Sequence, residues 1–207
     1  MLTQKNCCDQ SSELEMLRER QSGTLKIVLA INAVMFLVIV AAALYAGSSA
    51  LLADSLDNLG DALTYGLSLW AVHLGLRIKA RVAFFKGLLI LLAALAVLAQ
   101  IGYKLINPTV PSFEVMGIFS LLALAANGVS LALLWRHKTE DINMSSVWEC
   151  SRNDIFANIS VFVAAAGVWA TGSNWPDLLV ASFLVVFLLR SASRVLSSAH
   201  AELQRAA

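Results

Sequence analysis

Six apolar stretches alternate with polar ones along the chain, at about residues 25–46, 50–73, 82–100, 113–135, 145–170 and 177–196. A helix needs about 20 mainly apolar residues to cross roughly 30 Å of hydrocarbon, and each stretch is near that length. Turn chemistry separates them at 46–49, 107–111 and 172–176, where Gly, Ser, Asn and Pro collect. Basic segments containing Arg77, Lys79, Arg81 and Lys86, then Arg136 and Lys138, form the other joints. The pattern predicts an all-α polytopic membrane protein, a bundle of six transmembrane helices.

Two of the spans are interrupted in the same way. The uncharged part of the second runs only from Ala62 to Leu76, 15 residues, and that of the fifth from Ile155 to Ala170, 16 residues. Both are too short to cross alone. The second helix must therefore reach back through Asp61 and Asp57, and the fifth through Asp154 and Cys150. An ionisable residue at membrane depth is costly and marks a functional site by default. Asp54, Asp57 and Asp61 follow an i, i+3, i+7 spacing, which sets them on one face of a helix.

Composition sharpens this picture. Of 207 residues 58% are hydrophobic and 14% charged, which excludes an ordinary soluble domain. No basic patch with interleaved aromatics suggests nucleic acid. Three cysteines, Cys7, Cys8 and Cys150, without regular spacing do not make a disulfide framework, and the polar first 23 residues do not read as a signal peptide. Six spans place both termini on one side, with thirteen lysines and arginines there against Lys104 alone opposite. The positive-inside bias assigns that side to the cytoplasm. The expected organisation is a cytoplasmic tail over residues 1–23, a six-helix transmembrane domain over 24–200 and a short cytoplasmic tail over 201–207, in the cell (inner or plasma) membrane. Ser12 and Glu15 are spaced to cap a short helix in the first tail.

The depths of the acids can be compared, because the second and fifth helices run antiparallel. At about 1.5 Å per residue, Asp57 and Asp61 lie roughly 11 and 17 Å below the outer edge. Asp154 and Cys150 lie roughly 14 and 8 Å above the inner edge by the same rise. Three carboxylates and a thiolate can thus converge near mid-membrane, with each pair spaced i, i+4 to hold one ion. Asp54 lies one turn further out, as an access residue. Arg152, in the fifth span, cannot by itself neutralise four acids. Asn32 and the Asn127–Gly128 pair read as helix-packing polar groups. His73, His137 and His200 fall at span ends or in loops.

At these residues the chain resembles the cation diffusion facilitator (cation efflux) family. SSALLADSLDNLGDAL is similar to that family's second helix, with its His or Asp four residues before an Asp, and the Cys150–Asp154 pair resembles its fifth-helix motif. The resemblance covers about residues 24–200. It implies a proton-coupled exporter of divalent transition metals, with the ion bound in passing and no prosthetic group; a soft thiolate among three hard carboxylates ranks Zn²⁺ or Cd²⁺ first and Co²⁺ or Ni²⁺ next. It implies no enzyme activity. The implied ligands are Asp57, Asp61 and Asp154, with Cys150 standing where the family usually has His or Asp. Two further departures are the missing histidine-rich loop and the 17 residues after Arg190, too few for the family's cytoplasmic metal-binding domain. A homodimer would then form through the transmembrane helices. The competing readings are a membrane metal-binding or sensor partner that does not transport, and an intramembrane aspartyl protease. The second lacks a Gly two residues before Gly60–Asp61.

Overall fold

The computed structural model describes residues 7–70, 76–135 and 142–205, and all six expected helices are present. They are α1 (Cys7–Ala46), α2 (Ser49–Trp70), α3 (Leu76–Ile106), α4 (Phe113–Trp135), α5 (Ile142–Thr171) and α6 (Trp175–Arg205). No strand occurs among the described residues. Five of the helices are long and apolar enough to cross a membrane. The 22 residues of α2 would span about 33 Å at 1.5 Å per residue, and its exception is one of charge: every 18-residue stretch of it contains Asp54, Asp57 and Asp61. The protein is an integral, multi-pass membrane protein.

The helices outrun the apolar stretches that announced them. α1 continues without a break from Cys7 through the polar tail into the first span, so tail and span form one 40-residue helix. α3 begins inside the basic segment and ends six residues beyond Gln100. α6 begins at Trp175, two residues before Asp177, because a proline in a first helical turn loses no hydrogen bond there. Hydrophobicity measures immersion; backbone hydrogen bonding does not stop where immersion does.

Local chemistry closes the turns. Gly47 ends α1 with φ of 63°, and the Ser48 amide donates back to the Ala43 carbonyl at 3.0 Å. Gly172 ends α5 with φ of 61°, its own amide donating to Val168 at 2.8 Å. Both are left-handed helix stops that a Cβ would strain.

The turns α1–α2, α3–α4 and α5–α6 share one end of the bundle, the hairpin end. The Ser112 amide, just before α4, donates to the Ala46 carbonyl at the end of α1 (3.0 Å). Asp177 in the first turn of α6 reaches the first turn of α2. Its Oδ1 accepts from the Ser48 hydroxyl (2.6 Å) and the Ala50 amide (3.0 Å), and its Oδ2 from the Ser49 amide (2.9 Å). The Leu51 amide donates to Ser48 Oγ at 3.1 Å. The first-turn amides of α2, which no intrahelical carbonyl can satisfy, are thus capped by a residue 128 positions away. Lys104 in the last turn of α3 completes the knot, donating to Asp177 Oδ2 (3.2 Å) and to the Gly47 carbonyl. Lys104 is the one cation assigned to the hairpin side, and it is buried, not solvated.

Within the bundle α1 packs on α2, α3 on α6 and α4 on α5, and α2 touches α5 across the interior. The main core is rich in small residues, among them Ala43, Ala46, Ala50, Ala53, Ala123 and Ala164. Small side chains let transmembrane backbones approach closely. Large apolar residues such as Leu37, Leu44, Leu92, Phe156, Phe183 and Phe187 face outward, where lipid takes the place of a protein core.

Candidate metal site between α2 and α5

α2 brings Asp54, Asp57 and Asp61 to its inward side as the spacing predicts: Asp54 is buried, Asp57 and Asp61 are half-buried. From α5, the side chain of Asp154 comes within hydrogen-bonding reach of both Asp57 and Asp61. The two α2 acids are one turn apart, so Asp154 sits opposite the turn between them. Arg152 points to the exposed face of α5, away from this interior. The side chain of Cys150, one turn before Asp154, lies outside the described residues, as do those of Cys7 and Cys8.

Three further residues complete the surroundings, and the sequence reading did not include two of them. The Tyr65 hydroxyl donates to Asp61 Oδ2 at 2.6 Å, from one turn further along α2, and Tyr65 is buried. Lys86 of α3, one of the four cations of the first basic segment, turns inward. Its ammonium donates to the Thr64 hydroxyl and its charge acts on Asp61. The signals were present: a tyrosine at i+4 from an acid, and a lysine one turn inside an apolar helix. Neither could be separated from packing or snorkelling without knowing which way each helix faces.

The polar groups around the site do not all behave as packing glue. Asn32 donates to the Val28 carbonyl of its own helix at 3.0 Å, so its expected bond to a neighbour is not made. Its Oδ1, the Asn127 Oδ1 and both amide atoms of Asn158 have no hydrogen-bond partner among the described residues. Asp54 is only 2% exposed, so it is enclosed by the bundle and does not lie open to water at the hairpin end. His200 lies on the exposed side of α6, with its ring 2.9 Å from the Gln204 amide, and His73 and His137 fall outside the described residues.

Chemically, Asp57, Asp61 and Asp154 form an open group of hard oxygen donors within an apolar bundle. Among the described residues no three His, Cys, Asp or Glu side chains are already gathered closely enough to hold a metal ion. Carboxylates this close repel one another when ionised and require a cation or protons between them. Residues 25–203 match the cation efflux transmembrane domain. The chain belongs to the cation efflux family. Members of the family are transporters of metal cations, not enzymes. The chain is similar to a protein named zinc transporter ZitB from Yersinia pestis, at 27% identity over 174 residues, covering 76% of this chain and 54% of the relative. The ZitB of Yersinia pseudotuberculosis is 26% identical over the same length and coverage. An uncharacterized transporter of Synechocystis is 26% identical over 150 residues, 65% of this chain and 48% of its own. The chain thus spans about half the length of the relatives it matches.

Proposed function

We propose that the chain exports divalent transition-metal ions, Zn²⁺ or Cd²⁺ ahead of Co²⁺ and Ni²⁺, in exchange for protons. Asp57, Asp61, Cys150 and Asp154 hold the ion, and Asp54 serves its access on the side of the hairpin end. The observation that carries this reading is the reach of Asp154 to both Asp57 and Asp61. Two helices that alternate their tilt can open such a site to either side of the membrane in turn. Metal and protons compete for the same oxygens, so loading one releases the other. Two relatives named as zinc transporters support zinc as the first ion. The hairpin end faces outward in the cell membrane and both termini face the cytoplasm, with residues 24–200 as the transport unit. Two copies would pair through the transmembrane helices.

Uptake of Zn²⁺, Cd²⁺, Co²⁺, Ni²⁺ and Mn²⁺ into everted vesicles, with and without an imposed pH gradient, tests this. Zn²⁺ and Cd²⁺ uptake should rise when protons can return to the cytoplasmic side, and fall when that side is acidified. Flux indifferent to a collapsed gradient would leave a channel. Saturable metal binding without any flux would leave a membrane metal sensor.

A further inference from the structure

Asp54 and Asn158 carry polar atoms that the three-carboxylate site does not use. Asp54 is 2% exposed and its Oδ2 has no hydrogen-bond partner among the described residues. Asn158 is 0% exposed and both its Oδ1 and its Nδ2 lack partners. A buried carboxylate oxygen and a buried amide left unpaired are each costly, and a bound ion or water is one of the few things that offset that cost.

Helix register places the two together. Asp154 reaches both Asp57 and Asp61, so it faces the α2 turn between them. α2 and α5 are antiparallel neighbours. One turn from Asp154 toward the hairpin end, α5 presents Asn158. One turn from Asp57 in the same direction, α2 presents Asp54. The next turn toward the hairpin end is apolar on both helices, with Leu51 on α2 and Val161 on α5 in a single buried cluster. The level of Asp54 and Asn158 is therefore the last polar one before an apolar seal.

We propose that Asp54 and Asn158 form a second cation station, one turn from the three-carboxylate site toward the hairpin end, which takes a divalent metal ion in transit. The carboxylate supplies charge, and the amide supplies a neutral oxygen to the ion or a hydrogen bond to water on it. One carboxylate and one amide bind less tightly than three carboxylates, as a site passed through must. Release at the hairpin end then needs only the Leu51–Val161 layer to part. The proposal rests on the reading of Asp57, Asp61 and Asp154 as the transport site.

The test uses the full chain in detergent for Cd²⁺ equilibrium dialysis and in proteoliposomes for Cd²⁺ flux. Asn158→Asp gives the station two carboxylates and should convert it into a trap, raising tightly bound Cd²⁺ from one ion per chain to two while flux falls. Asn158→Leu and Asp54→Asn should each slow flux on the order of tenfold, the size of one hydrogen bond to a charged group, and the double variant should be no slower than either alone. Asn158→Leu should also melt at a temperature no lower than wild type, since it removes an unpaired buried amide. An amide held for packing would do the reverse, lowering the melting temperature and leaving flux unchanged. A single Cd²⁺ on Asn158→Asp, together with wild-type flux in Asp54→Asn and Asn158→Leu, would overturn the station and leave the exporter reading standing. A second Cd²⁺ on Asn158→Asp in a protein that moves no metal would support the station and remove the exporter reading.

Discussion

Lys104 and Asp177, 73 residues apart on α3 and α6, form a buried ion pair at 3.2 Å against the first turn of α2. The pair ties the start of α2 to the α3–α6 pair. Removing one partner leaves a buried charge alone, and such losses run about 3–5 kcal/mol. Lys104→Met and Asp177→Asn should each lower the melting temperature markedly in detergent. The double variant should lose less than the sum, a non-additivity that a thermal-unfolding cycle reads directly.

Transport should rank the acids. Asp57→Ala, Asp61→Ala and Asp154→Ala each remove a carboxylate from the group that Asp154 bridges, and each should abolish metal flux in protein that still reaches the membrane. Asp54→Ala should keep a measurable fraction. A dead Asp54→Ala beside an active Asp57→Ala would shift the site by one turn.

Tyr65 holds one oxygen of Asp61 through a 2.6 Å hydrogen bond. Tyr65→Phe keeps the ring and removes the donor, leaving Asp61 free to rotate. Metal Kd should weaken by about tenfold, corresponding to a charged hydrogen bond of roughly 1.5 kcal/mol, with little change in melting temperature. Isothermal titration with Zn²⁺ measures it, and an unchanged Kd would show that the hydroxyl does not orient Asp61.

Two glycines of α3 should respond oppositely to alanine. At Gly87 an added Cβ would meet Leu196 Cγ at 2.9 Å and Val195 Cγ1 at 3.1 Å on α6. Gly87→Ala should therefore push α3 and α6 apart and destabilise by about 1–3 kcal/mol. At Gly102 nothing lies within 4 Å, so Gly102→Ala should be neutral or stabilise by up to about 1 kcal/mol through helix propensity. Melting temperatures of the two variants in one detergent decide between these outcomes.

In the proposed site Cys150 would bring a soft ligand to a set of hard ones. Cys150→Ser should cost affinity for Cd²⁺ and Zn²⁺ more than for Mn²⁺, and Cys150→His should restore a Zn²⁺ site. Affinities that do not move for any metal would assign the thiol to packing and leave the ion with three carboxylates and water.

The sequence alone determined the number of helices, their membrane placement and the face that Asp54, Asp57 and Asp61 share. Those follow from two short-range quantities, the length of an apolar run and the 3.6-residue period, and both are readable without knowing any neighbour. It also supplied Asp154 as the partner, because antiparallel spans in a slab of known thickness leave little freedom in depth. Rotation about each helix axis is another matter, since it depends on which helices touch. Only the tertiary structure turned Lys86 toward Asp61 instead of toward the interface. It enclosed Asp54 rather than exposing it, and set Asn158 on the inward face with its amide unpaired. Asp177 shows the limit best. In the chain it reads as an acid at the start of a helix, which is its ordinary place by the helix dipole. Its carboxylate instead caps α2 and pairs with Lys104, because three turns happen to meet at one end of the bundle.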